Sequence, residues 1–327
     1  MKSMMIYGAT GYTGRMTAEH AAAAGLAVIL GGRDAARLAK LADELGVRYR
    51  AFSVDDAAAV DDAIAGVSVL LNCAGPFMKT ADPLMRACLR SHVDYLDIAA
   101  ELDSYLLAEK LDQEARSAGV MLLPGSGGSV AMLGCLAGHA ARRVTKPRHL
   151  RVALHVAGSM SRGSAISATE NLTAECLMRV GGTLTSRDPG DLRDFDFGFG
   201  AVSCSPVTLP DLVTIWKATG ILDIETFVHV SGTAFPRVDV ADIPDGPTPA
   251  HRQANRYQAA VEVIGAEGDV ARSTLDTVNG YTFTPLAAAE AARRVLDGEH
   301  RPGFQTPALM FGNSFVETIA DTSIRDL

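Results

Sequence analysis

Three glycines spaced Gly8-x-x-Gly11-x-x-Gly14 follow the short apolar run Met4-Met5-Ile6-Tyr7 and lead into an alanine-rich stretch. Glycine lets the backbone turn sharply and lie close to a bulky anion. A helix beginning just beyond such a turn aims unpaired N–H groups and its positive dipole end at that anion. A dinucleotide pyrophosphate suits this arrangement. Gly8, Thr10, Gly11, Tyr12, Thr13 and Gly14 would form the cradle, with Tyr12 and Thr13 offering backbone N–H groups. A ligand-free glycine turn has the same spelling, so the surrounding chain has to decide.

The next chemistry-bearing residues stand at the ends of later apolar runs. Ala27 to Gly32 is followed by Arg33-Asp34. NAD-binding units carry an acidic residue near this position for the ribose hydroxyl, whereas a guanidinium suits a 2′-phosphate. Gly32 and Arg33 therefore favour NADP over NAD; the competing reading pairs Arg33 with surface carboxylates and gives the ribose to Asp34. Val54 and Asp55 end the third run, where Asp55 either reaches the adenine or caps the following helix. The fourth run ends in Asn72-Cys73-Ala74-Gly75-Pro76-Phe77, bare backbone suited to the nicotinamide ribose, with Cys73 as a packing residue rather than a nucleophile.

Hydride transfer to a small-molecule substrate usually also needs a proton donor. No tyrosine has a lysine four positions on, which argues against the Tyr-x-x-x-Lys mechanism. Tyr95, Asp97 and Glu101 are the catalytic candidates, with Lys79 beside them. Asp97 either orients a proton relay or caps a turn, Tyr95 is otherwise core, and Glu101 is otherwise a helix cap. His92 and His155 stand alone and read as structural. The histidines and the five scattered cysteines show no metal-ligand spacing.

These residues need strands to carry them. Strand-like runs at Met4 to Tyr7, Ala27 to Gly32, Val47 to Val54, Ser68 to Ala74, Asp94 to Ala99 and Val120 to Leu123 alternate with helical stretches. The helices include Ala81 to Ser91 and Leu102 to Ala118. This alternation predicts an α/β fold, a doubly wound parallel sheet of Rossmann type, over residues 1–125.

Residues 126–283 read as a second, α+β domain on a mainly antiparallel sheet, for substrate or dimerisation. It opens at the turn Pro124-Gly125-Ser126-Gly127-Gly128-Ser129, either a substrate contact or a hinge. A helix is expected from Ser164 to Arg179, a loop from Pro236 to Pro249 and a hairpin from Tyr257 to Val278. Phe195, Phe197 and Phe199 alternate as a strand in the core or as a flap over an apolar ligand. A last helix is expected from Thr284 to Leu296, with Pro285 in its first turn.

Taken together, the glycine turn, Gly32-Arg33, Asn72 to Phe77, and Tyr95-Leu96-Asp97-Ile98 with Glu101 resemble the saccharopine dehydrogenase-like NAD(P)-binding oxidoreductases. The branch that includes bacterial trans-acting enoyl reductases is the most similar. The resemblance returns at Gly280-Tyr281-Thr282 and at Gly303 to Ala308. It implies an NADP-dependent reductase of a carbonyl, imine or activated C=C. It also implies that residues 284–327 return to the Rossmann domain, and a lipid synthase as partner if the substrate is an enoyl chain. Saccharopine reductases carry acidic residues in the turn comparable to Pro124 to Ser129, and this chain has none between Pro124 and Arg142. An NADP-sensing regulator without catalysis is the alternative of a different class.

Composition bounds the rest. The chain has 327 residues, 48% of them hydrophobic, and a net charge of −8 without basic runs, which excludes a nucleic-acid surface. No apolar run is long enough to cross a membrane. The early strand leaves no room for a signal peptide, and an odd set of scattered cysteines fits a reducing cytoplasm. An open sheet in the second domain is compatible with a homodimer.

Overall fold

The computed structural model describes residues 2–171, 175–233, 239 and 242–327. The loop expected at 236–249 lies partly outside the described residues. The chain divides into two units, Met1–Gly128 with Thr284–Gln305, and Ser129–Phe283 with Thr306–Leu327.

In the first unit, strands and helices alternate as β1 (Met4–Tyr7), α1 (Tyr12–Ala23), β2 (Val28–Gly32), α2 (Ala35–Leu45), β3 (Arg48–Ala51), α3 (Ala57–Ile64), β4 (Val69–Asn72), α4 (Phe77–Ser91), β5 (Asp94–Asp97), α5 (Leu102–Lys110), α6 (Asp112–Ala118) and β6 (Met121–Leu123). The spatial order is β3-β2-β1-β4-β5-β6, every pair is parallel, and Gly303–Phe304 adds a short seventh strand beside β6. Strands β1, β2, β4 and β6 are buried along their whole length, which their unbroken apolar runs require in a sheet covered on both faces. Strand order reverses between β1 and β4, and ligands bind open α/β sheets at such a point, beyond the carboxyl ends of the strands.

Two helices differ from expectation. Helix α4 starts at Phe77 rather than Ala81 and runs through Pro83. Proline removes one helical hydrogen bond, but Phe77, Thr80, Ala81, Leu84, Met85 and Cys88 form a buried stripe at helical spacing that holds both sides together. The stretch from Leu102 to Ala118 is two helices, α5 and α6, meeting at Leu111.

The second unit begins with α7 (Gly128–Ala141), buried on nearly every side. It continues through β7 (Pro147–Ser159), α8 (Arg162–Asn171), β8 (Leu177–Val180), β9 (Thr183–Ser186), β10 (Arg193–Asp196), β11 (Ala201–Pro206), α9 (Asp211–Thr219), β12 (Asp223–Thr233), α10 (Pro249–Ala254), β13 (Tyr257–Gly265) and β14 (Val270–Thr277). Helix α11 (Gly280–Leu296) and strand β15 (Gly303–Phe304) then lead to α12 (Pro307–Phe311), a 3-10 turn at Asn313–Thr318 and β16 (Ser323–Asp326).

The sheet of the second unit runs β10-β11-β12-β7-β13-β14-β16. Its two long central strands, β7 and β12, are parallel, and the other pairs are antiparallel. Register places Glu225, Arg151, Glu262 and Arg272 in one row across four strands, joined by alternating ion pairs. Residues Leu177 to Arg179, expected at the end of a helix, belong to β8. Phe195 and Phe197 pack into the core with Phe227 and Cys204, while Phe199 at the hairpin end is 56% exposed. Helix α11 begins four residues before the expected start, because Asn279 accepts a hydrogen bond from Tyr281 N at 3.1 Å and Pro285 falls inside the helix.

Candidate functional site

The glycine turn sits at the carboxyl end of β1. Gly8 has φ +82°, a left-handed conformation that glycine adopts without cost. A Cβ on Gly8 would lie 2.8 Å from the Cβ of Ala74, and a Cβ on Gly14 would strike the carbonyl oxygen of Gly8. The turn therefore closes against both the start of α1 and the loop after β4. Gly11 occupies the N-cap of α1 and offers no side chain to it; the first helical bond runs from Arg15 N to Gly11 O. Thr10, Tyr12 and Thr13 thus stand at an open helix start, where an anion is favoured.

At the end of β2, Gly31 and Gly32 are followed by the exposed Arg33. Arg33 forms no ion pair among the described residues, and Asp34 is engaged as the N-cap of α2, accepting from Arg37 N at 3.0 Å. One turn on, Arg37 Nη2 donates to the carbonyl oxygen of Thr10 at 2.9 Å. Thr10, Arg15, Arg37, Lys40, Leu41 and Glu44 line a cavity of about 220 Å³. Three cations face one carboxylate there. Arg37 and Lys40 were not singled out from the sequence; their i, i+3 spacing, with Glu44 four residues on from Lys40, puts them on one face of α2, a signal available to helical periodicity.

Val54 is half-buried and Asp55 exposed beyond β3. Asp55 is not the helix cap: Asp56 takes that place, accepting from Ala59 N at 3.0 Å, while Ser53 Oγ donates to Asp55 at 2.8 Å. Beyond β4, Cys73, Ala74 and Pro76 are half-buried, Gly75 is exposed and Phe77 opens α4. Burial pushes the Cys73 thiol up to about 12, so it is no nucleophile near neutral pH.

The three catalytic candidates sit deeper than expected. Tyr95 and Asp97 are fully buried, and the Tyr95 hydroxyl donates to Asp97 Oδ2 at 2.9 Å. Asp97 Oδ1 accepts from Ala99 N at 3.0 Å and Gly125 N at 2.7 Å. Burial raises the Asp97 carboxyl to about 6 against the pull of those N–H groups and the Tyr95 hydroxyl. Glu101 is buried too. It accepts from Ala100 N at 3.0 Å and from Phe77 N at 3.4 Å, and does not cap α5. Asp97 and Glu101 thus tie the strand-end loops of β4, β5 and β6 to one another.

Pro124 to Ser126 completes this edge, with Ser126 Oγ donating to the Asp97 carbonyl at 2.8 Å. His92 ends α4 in the left-handed region at φ 53°, and His155 is held through both ring nitrogens by Gln258 and Ser231 at 2.8 Å. Among the described residues no cluster of three His, Cys, Asp or Glu could hold a metal, and no helix is long and apolar enough to cross a membrane.

A Gly-x-x-Gly-x-x-Gly turn without room for side chains, an open helix start and a cation-lined cavity between α1 and α2 beside Thr10 fit the pyrophosphate and 2′-phosphate of NADP. Residues 4–123 match the family described as the saccharopine dehydrogenase NADP binding domain. Residues 4–123 are thus similar to that NADP-binding domain. A trans-acting enoyl reductase of Mycobacterium leprae is 36% identical over 106 residues, 30% of this chain and 25% of that protein. Its Mycobacterium tuberculosis counterpart is 33% identical over the same length. The chain therefore covers about a quarter of these relatives. In fold, apo saccharopine dehydrogenase (L-Glu forming) from Saccharomyces cerevisiae superposes over 100% of both chains with a TM-score of 0.68 at 14% identity. That match shows a shared α/β fold.

Proposed function

We propose that the chain is an NADPH-dependent reductase of a carbonyl, imine or activated C=C, with an enoyl or other acyl compound as the favoured substrate class. The observation that carries the reading is the glycine turn itself, which abuts Ala74 of the β4 loop on one side and, through Thr10, the cavity lined by Arg15, Arg37 and Lys40 on the other. Bound NADPH supplies a hydride. Gly8, Gly11 and Gly14 hold the pyrophosphate against the start of α1. Arg33, Arg37 and Lys40 hold the 2′-phosphate, and Cys73 to Phe77 line the nicotinamide ribose. Val54 and Asp55 flank the adenine.

The enoyl reading takes its support from the names of the mycobacterial relatives. A homodimer, and a lipid synthase as source of the enoyl chain, are the partners it entails. The test is NADPH consumption across a panel of carbonyl, imine and enoyl-thioester substrates, with turnover expected on at least one class.

The burial of Tyr95 and Asp97 favours a second reading, an NADP-sensing protein that binds cofactor without turnover. Tight NADPH binding with no oxidation on any substrate would select it over the reductase.

A further inference from the structure

The most completely satisfied polar cluster in the first unit lies under the loop that follows β4. Asn72, Tyr95 and Asp97 are fully buried and Thr80 nearly so. Asn72 Nδ2 donates to Thr80 Oγ1 at 2.9 Å and to the Tyr95 hydroxyl at 3.2 Å, and Tyr95 donates to Asp97 at 2.9 Å. The far end of the chain is the peptide of Ala74: its N–H donates to Asn72 Oδ1 at 3.0 Å, and its carbonyl accepts from Thr80 Oγ1 at 2.7 Å.

The donors and acceptors allow one arrangement of protons. An ionised Asp97 only accepts, so Tyr95 must donate to it and offer its oxygen to Asn72. The Asn72 amide group must then point both hydrogens inward, at Tyr95 and Thr80, and its oxygen at Ala74 N. Thr80, already accepting from Asn72, has its own proton left for the Ala74 carbonyl. Reversing any link leaves a buried donor or acceptor unsatisfied, which is costly at low local dielectric.

The destination of this chain is informative. Ala74 is half-buried and Gly75 beside it is exposed, so a buried network ends on backbone at the solvent edge of the loop. That same residue lies against Gly8 of the pyrophosphate turn. The network holds the Cys73–Ala74 peptide by its N–H and the Ala74–Gly75 peptide by its carbonyl, so it fixes the backbone on both sides of Ala74 where the loop reaches solvent.

We propose that Asn72, Thr80, Tyr95 and Asp97 are positioning residues that fix the Ala74 peptide for the nicotinamide half of NADP(H). This rests on the cofactor placement given under Proposed function. It gives Tyr95 and Asp97 work through the backbone rather than through proton transfer to substrate.

The test separates the two halves of the cofactor. Thr80→Val keeps the shape and removes the hydroxyl that holds the Ala74 carbonyl. Its affinity for NADPH, measured by calorimetry on the full chain, should fall roughly tenfold, a cost of about 1.4 kcal/mol. Affinity for adenosine 2′,5′-bisphosphate, which lacks the nicotinamide half, should stay within about twofold, and Thr80→Ser should restore NADPH binding. Tyr95→Phe, which cuts the chain one link further back, should show the same split, and serves if Thr80→Val does not fold. Equal losses on both ligands, or unchanged NADPH binding in both variants, would overturn the positioning role. A wild-type chain that binds neither ligand would remove the cofactor placement and this proposal with it.

Discussion

Arg37 reaches back across the first unit to the carbonyl oxygen of Thr10, 2.9 Å from its Nη2, so α2 is pinned to the glycine turn by a cation. Arg33 stands before the helix, in the bend between β2 and the N-cap Asp34, exposed and without an ion pair among the described residues. If these two cations face the 2′-phosphate, removing either should weaken NADPH and leave NADH nearly untouched. Arg33→Ala and Arg37→Ala should each raise the NADPH dissociation constant by roughly 10- to 100-fold, the range for a charge-assisted bond to phosphate. Fluorescence titration with both nucleotides checks this, and a parallel loss on NADH would count against the assignment.

Gly14→Ala tests the turn itself. The new Cβ would meet the Gly8 carbonyl oxygen, so the turn must open, at a cost of roughly 1–3 kcal/mol as for other overpacked sites. Cofactor affinity should fall by at least about tenfold as the cradle widens. Gly25→Ala is the matched control: Gly25 also has positive φ, at +77°, but nothing lies within 4 Å of its Cβ position. It should cost roughly 1 kcal/mol in thermal stability and leave NADPH binding unchanged.

Asp211 opens α9 fully buried, and neither carboxyl oxygen has a partner in another residue among those described. Burial raises its carboxyl to about 8, opposed only by its own backbone N–H. The folded state therefore holds a proton that the unfolded state, near 3.9, releases. Stability should fall as pH rises between those values, by up to roughly 1.4 kcal/mol per pH unit, and level off above about 8. Asp211→Asn should flatten this dependence, read from urea midpoints between about pH 5 and 9. A wild-type midpoint that does not decline over that range, or an equal decline in the variant, would refute the account.

Glu225 presents the opposite sign. Burial would raise its carboxyl, but hydrogen bonds from His149 at 2.7 Å and Arg151 at 2.8 Å outweigh it and hold the group at about 2. Its contribution is present above the unfolded value near 4.3 and disappears as pH falls towards 2. Glu225→Gln should cost roughly 1–3 kcal/mol at neutral pH, where a charged acceptor is lost, and make acid unfolding less steep. Circular dichroism during acid titration measures both.

Most of the parallel sheet was legible because β1, β2, β4 and β6 are buried on both faces and so appear as unbroken apolar runs, as in Val28 to Leu30 or Val69 to Leu71. The glycine turn was legible because Gly8 and Gly14 tolerate no side chain. What surrounds Asp97 was not. Its partners Gly125 and Ser126 come from another strand end, and its burial depends on the sheet rather than on neighbours in sequence. Arg37 was overlooked because its partner is a backbone carbonyl at Thr10, which has no signature in residue type. Segment boundaries failed where tertiary packing overrode local signals, as at Pro83 in α4 and at Leu177 to Arg179, drawn into a strand by Ser186, Thr185 and Leu184 of β9.

Strand β15 pairs with β6 through only two residues, Gly303 and Phe304, yet those two come from far down the chain. Until they arrive, β6 presents an unpaired edge, a template for association with other strands. During synthesis at about 5–20 residues per second, the delay between Leu123 and Gly303 is roughly 10 to 40 seconds. The first unit can thus be completed only after Ser129–Phe283 of the second has been synthesised. An isolated fragment ending near residue 125 would keep that sticky edge permanently, and should form larger aggregates than the full chain does.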